Sequence, residues 1–171
     1  MTEPPRAMIS PAEIQKIISD PAEVSLMISC AEWFGKRLVS ANLTTTQVRG
    51  IFGTVRQIQA EIDAFVSAQS GRVRTATSVP PPVLLPVDVK RKLMMLIPRM
   101  AFQARREKDN GKGDGVEQLK VVLDQAIASV VGSEEPHAGG QIGRFRRFVD
   151  FFEATLAYHK ANGGRDQGVG R

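Results

Sequence analysis

The sequence predicts an all-α fold, a compact bundle of five to six helices forming one domain over residues 1–164, and three observations predict it. Apolar residues recur at three- and four-residue spacing through the long segments, as a helix with one buried face requires. Residues that cap helices stand just ahead of those segments. No segment alternates apolar and polar residues with the two-residue period of a strand. A chain of 171 residues is also long enough to bury a real core.

Ser10-Pro11-Ala12-Glu13 and Asp20-Pro21-Ala22-Glu23 repeat one device: a capping side chain, proline at the first helical position and glutamate at the third. The first predicts a short helix to about Ile18. The second predicts a longer one to about Ala41 with Val24, Met27, Ile28, Ala31, Phe34 and Leu38 turned inward. Cys30 flanks that stripe and reads as a small packed residue. A third helix opens at Thr44. Thr44 and Gln47 have the spacing of a capping box, and Leu43 and Val48 that of a hydrophobic staple. Val48, Ile51, Phe52, Val55, Ile58, Ile62 and Phe65 form its buried stripe, to about Ala68. Arg49 and Arg56 lie on another face with Gly50 and Gly53 nearby. Glycine within a helix costs about 1 kcal/mol relative to alanine. The pair therefore implies close approach of a second backbone, whether a neighbouring helix, a partner protein or a nucleic acid.

Residues 67–86, with Ser70-Gly71, Arg72, Arg74 and the prolines 80–82, lack periodicity and predict a proline-rich loop within the domain. Helix resumes near Pro86 and continues to about Lys108, kinked at Pro98, whose ring crowds the carbonyl of Met94. Asn110 to Gly113 end that segment. Asp114 and Glu117 start the next, which carries Val116, Leu119, Leu123, Ile127 and Val130. After a loop over residues 132–140, the last helix holds Ile142, Phe145, Phe148, Val149, Phe152 and Leu156 on one side. Residues 165–171 read as a flexible tail.

Composition narrows the function. Lys and Arg total 23 against 18 acidic residues, a net charge of +5 with pI near 9.7, which suits a polyanionic partner without a histone-like excess. One cysteine excludes an intrachain disulfide and fits a reducing cytoplasm. No signal peptide is evident, and no apolar run approaches the roughly 18 residues of a membrane span. No metal-ligand spacing, phosphate-binding glycine loop or nucleophile–base pair is present, so neither an enzyme nor a cofactor is expected. Glu153 with His159 or Lys160 reads as a helix-surface contact.

The positive signal is basic geometry. Seven basic residues and one acidic residue, Glu107, lie between Lys90 and Lys108. Lys92, Arg99 and Arg106 recur every seven positions as a stripe, widened by Arg91 and Arg105. Arg144, Arg146 and Arg147 cluster at the start of the last helix, where they oppose its dipole and so point to an external anion or acidic surface. Arginine in preference to lysine favours bidentate contacts to phosphate or carboxylate. The phenylalanines fall largely on apolar helix faces, which argues against stacked bases and for sequence-independent contacts to a phosphate backbone.

Three blocks then carry a resemblance: Leu43 to Arg49; Leu96-Ile97-Pro98-Arg99-Met100 leading to Arg105; and Phe148 to Lys160, with Phe151-Phe152-Glu153-Ala154 followed by Ala157-Tyr158-His159-Lys160. Their order over Leu43 to Gly164 resembles the small subunit of type III-A CRISPR effector complexes, the Csm small subunit. Phe102 stands where that family usually has Tyr, which implies retained packing without a hydroxyl. The resemblance implies a non-catalytic, all-helical subunit that stacks in copies along an effector filament. It would associate with other type III-A subunits and contact the target RNA paired with guide RNA, in defence against viruses and plasmids. Gln47, Arg49, Arg56, Arg99 and Arg105 are the RNA-contact candidates it implies, with Lys92 and Arg106 added by the basic stripe. The alternative is a helical adaptor whose basic face meets an acidic protein.

Overall fold

The computed structural model describes residues 8–73 and 84–166. The helices are α1 (Pro11–Ser19), α2 (Val24–Ser40), α3 (Thr45–Val73), α4 (Val87–Met94), α5 (Leu96–Asp109), α6 (Gly115–Val131) and α7 (Gly140–Ala161), with a 3-10 turn at His137–Gly139. Counted with α4 and α5 as one bent element, these are the six helices expected, and the fold is all-α. α7 is the centre. It packs along α2 and against α1 and α6, while α3 lies on α4 and α7 and α5 on α6.

Local chemistry fixes the starts. Ser10 Oγ accepts from Glu13 N, and Glu13 returns a carboxylate to Ser10 N at 2.9 Å, closing a full capping box. Thr44 and Gln47 do the same for α3, at 2.8 Å from Thr44 N to Gln47 Oε1 and 3.3 Å from Gln47 N to Thr44 Oγ1. Asp20 does not cap α2 as expected: its carboxylate accepts from Ala22 N within a preceding turn, and α2 begins at Val24 with Glu23 at the N-cap and no side-chain cap bond. Val24 and Ile28 are exposed although the sequence pattern places them inside, because the buried stripe of α2 is centred on Cys30, Phe34 and Leu38, to one side of both. Cys30, Ala31, Phe34 and Leu38 are buried, and Gly35 is there because a Cβ would fall 2.7 Å from Tyr158 Cβ.

Three further expectations change. The kink expected at Pro98 is a break at Met95, three residues earlier. Pro98 thereby lies in the first turn of α5, where its missing N–H leaves no helical bond unmade. α3 runs past Ala68 to Val73, and residues 74–83 of the expected loop, with Arg74 and the three prolines, lie outside the described residues. The start of the expected flexible tail is bonded: Arg165 O accepts from Thr45 N at 2.9 Å and Asp166 O from Thr46 N at 3.1 Å. Residues 167–171 lie outside the described residues.

The core runs continuously from Ile14, Ile17 and Ile18 through Val55, Ile58, Leu93, Met100, Leu119 and Ile127 to the phenylalanines of α7. Phe148 stacks on Phe152 at 6.2 Å, and Phe152 meets Phe52 edge-on at 5.8 Å, which joins α3 to α7. His159 is buried, with Nε2 2.8 Å from Leu43 O, and so holds the end of α7 at the α2–α3 turn.

Candidate nucleic-acid interface

α4 and α5 run antiparallel to α3, because Lys92 pairs with Glu61 at 2.7 Å near one end while Gln47 bonds Glu107 at 3.1 Å near the other. Gln103 also donates to Gln47 O, which seats α5 beside the first turn of α3. The opposite flank of α3 faces α7, shown by Arg56–Glu153 at 2.6 Å and Arg146–Asp63 at 3.6 Å. Between these flanks the outward face of α3 carries Gly50 and Gly53. No described residue lies within 4 Å of where a Cβ on either would sit. Packing among the described residues therefore does not explain them. They leave a strip of bare backbone open to solvent.

Five of the seven candidate side chains fall on the two sides of that strip. Arg49 and Arg56, seven residues apart, lie on the α7 flank; Arg99, Arg106 and Lys92 lie on α4 and α5. Arg49 and Arg99 are exposed and make no ion pair among the described residues. Arg56 is engaged: it bonds Glu153, Gln59 at 2.8 Å, and sits 5.6 Å from the Phe52 ring. Arg105 pairs with Asp109 one turn on at 3.0 Å, and Arg106 approaches Glu107 at 3.5 Å. The cations in these pairs are more than half exposed, so each pair is worth about 1 kcal/mol or less and yields readily to a phosphate. Gln47 differs. Both ends of its amide are used inside the chain, one by Thr44 and one by Glu107.

Glu107, the single acidic residue of the basic stretch, turns inward and is 4% exposed, with Gln47 and Lys112 as partners besides Arg106. Its burial leaves the outer face of α5 more positive than composition suggests. A cleft of about 970 Å³ opens where α3 starts, lined by Thr46, Gln47, Gln103, Arg106, Lys112 and Arg165 among others. Lys112 and Arg165 were not among the sequence candidates. Lys112 lies in a glycine turn without periodicity, and Arg165 reaches the cleft because its backbone pairs with Thr44 and Thr45.

The arginine cluster on α7 corrects the expectation of an external anion. Arg144 is buried and donates to Ser133 O at 2.7 Å. Arg147 donates to Ile18 O at 2.6 Å, Ser19 O at 3.3 Å and Ala138 O at 3.2 Å. Ile18 and Ser19 close α1, so the carbonyls at the negative end of that helix receive the charge. α7 begins at Gly140, so Arg147 lies two turns in and, contrary to expectation, does not oppose the dipole of its own helix. Burial, then the neighbouring Arg144 charge, hold the Arg147 pKa below its ordinary value. Phe102 is a second correction: it is 70% exposed and does not keep the packing role expected of it. Glu153 serves α3 through Arg56, not His159 or Lys160.

Among the described residues no group of three or more His, Cys, Asp and Glu side chains could hold a metal ion. No described helix is long and apolar enough to cross a membrane. Comparison with curated proteins and with solved structures finds no match. The family model for Csm2 Type III-A matches residues 21–165, which include all three blocks that carry the resemblance and both flanks of the glycine strip. The chain belongs to the Csm2 type III-A family, the small subunit of type III-A CRISPR effector complexes.

Proposed function

We propose that this chain is a non-catalytic subunit that stacks along the type III-A filament and holds the target strand of the guide–target duplex by its backbone. The observation that carries the reading is the outward face of α3 and α5. Arg49 and Arg99 stand exposed and make no ion pair among the described residues, on either side of the open backbone at Gly50 and Gly53. A phosphodiester chain can approach a glycine strip closely while guanidinium groups on both flanks take its phosphates. Lys92, Arg56, Arg105 and Arg106 add phosphate contacts by exchanging surface carboxylates for phosphates. Gln47 supports the site by fixing α3 on α5. No base edge need be read, so binding is indifferent to sequence and steeply dependent on salt.

The test is target-RNA association by effector complexes assembled with Arg49→Glu or Arg99→Glu. Each variant should weaken association and flatten the salt dependence by about one unit of slope for every phosphate no longer neutralised. Unchanged affinity and slope in both would reject the reading. Salt-sensitive loss of a protein subunit, with RNA affinity intact, would establish the acidic-partner adaptor instead.

A further inference from the structure

We propose that Phe102 is a stacking platform for one unpaired base of the bound RNA strand, an inference that rests on the RNA-backbone reading of this face. The chain has eight phenylalanines, and seven of them are buried or half-buried. Phe102 alone is exposed, at 70%. Helical arithmetic explains why: Leu96, Met100, Ala104 and Glu107 form the buried side of α5, and position 102 lies opposite it. The ring therefore contributes nothing to the core. Its neighbours along the helix are Arg99 one turn before and Arg105 and Arg106 one turn after, all exposed. Glu107, the one carboxylate between Lys90 and Lys108, is turned away.

An exposed aromatic ring surrounded by guanidinium groups matches one ligand chemistry well. A base offers a flat π-face to the ring, while the phosphates on either side of it meet the arginines. Every base has such a face, so the contact requires an unstacked base without selecting its identity. A protein knob-and-pocket contact would need a partner rimmed with acid around the ring, and it is the competing outcome. The Gln103–Gln47 contact makes the surface continuous with the glycine strip of α3, so one strand can cross both. The site thus adds to backbone tracking a preference for a nucleotide that has left its helix.

The experiment compares binding of the full-length chain, at low salt, to a labelled oligouridylate and to a ribose-phosphate oligomer of equal length without bases. Wild type should prefer the oligouridylate by about 10- to 100-fold, the range expected for one stacked base. Phe102→Ala should erase the preference and leave the affinity for the baseless oligomer unchanged; Phe102→Trp should keep it. Equal binding of the two oligomers by wild type, absence of binding, or a preference that survives Phe102→Ala would overturn the proposal. Arg99→Glu separates the two readings. Loss of affinity for both oligomers in that variant, together with no base preference in wild type, rejects stacking alone. Arg49→Glu and Arg99→Glu without effect on either oligomer reject the backbone reading with it. Phe102→Ala that leaves RNA binding intact but blocks assembly with the other subunits assigns the ring to a protein contact and overturns stacking. Helicity should be unchanged throughout, because the ring lies outside the core.

Discussion

Arg147 on α7 and Arg49 on α3 are the same residue type on amphipathic helices of the same chain, yet the fold uses one and leaves the other. Arg147 commits its guanidinium to three backbone carbonyls, two of them at the end of α1. Arg49 meets solvent, and its charge reaches the Asp166 carboxylate only as a minor influence. The difference lies in what a distant segment brings to each place. The end of α1 supplies a row of unpaired carbonyls, a local anion built from backbone. The outward face of α3 meets no other described element at Gly50 and Gly53, so among the described residues the charge there is answered by no ion pair, only by the weak influence of Asp166. An arginine cluster therefore signals an anion without saying whether the anion belongs to the chain itself.

The largest expected effect tests the frame that holds both arginines. Phe152 is buried between Phe52 and Phe148, and Phe152→Ala should destabilise the chain by about 3–5 kcal/mol in denaturant unfolding. Normal stability in that variant would mean that α3 is not fixed to α7 through this ring, and the comparison would lose its common scaffold. Next comes Arg147→Ala. It strips three hydrogen bonds and strands carbonyls at the α1–α7 junction, at a cost of about 2–3 kcal/mol. Arg147→Lys should recover only part, because an ammonium cannot span the same fork of carbonyls. RNA association by protein that remains folded should not change.

Arg49→Glu should show the reverse pattern. Stability should stay within about 0.5 kcal/mol, as for most exposed substitutions. Target-RNA association by the assembled complex should fall about tenfold or more, because a charge-assisted hydrogen bond gives way to a repulsion. Loss of helicity without loss of RNA would make Arg49 structural and erase the distinction. Glu153→Gln is milder. It releases Arg56 from a half-exposed pair at 2.6 Å, so unfolding should shift by less than about 1 kcal/mol. The freed guanidinium should raise RNA affinity, and a fall would show that Glu153 orients Arg56 for its contact.

These contrasts also mark what the sequence could carry. Both capping boxes and the apolar stripes of α3, α6 and α7 were legible because their partners lie within a turn or two of each other. The break at Met95 was legible to within a turn, since Pro98 dictates a disruption but its neighbours decide where the chain places it. Partners for Arg144 and Arg147 were not legible: Arg147 reaches Ile18 and Ser19, more than 120 residues away. Neither was the inward turn of Gln47, whose amide meets Glu107 only once α5 is laid against α3. Phe102 is a different case. Its position opposite Leu96, Met100 and Ala104 could be counted from sequence, but a phenylalanine flanked by helical apolar residues reads as core until the stripe is drawn.

The smallest expected effect concerns the segment that closes the start of α3. Arg165 and Asp166 accept from the N–H groups of Thr45 and Thr46, and the Asp166 carboxylate pairs with Lys160 at 2.6 Å. That hydrogen bond, then the Lys160 charge, hold the Asp166 pKa below its ordinary value of 3.8, with a lesser contribution from Arg49. A carboxyl whose folded pKa is depressed contributes stability above its unfolded pKa and loses it as pH falls through the folded value. Protection of the Thr45 and Thr46 amides from hydrogen exchange, corrected for the intrinsic rate, should therefore be constant near neutrality and fall below about pH 4. Lys160→Ala should lower it at neutral pH and remove the acid step. Should protection persist in acid and in that variant, the backbone pairing alone closes the helix, and the ion pair is a bystander. The start of α3 would then belong with Arg147, as donors satisfied by the chain's own carbonyls, and the open part of α3 would begin only at Arg49 and Gly50.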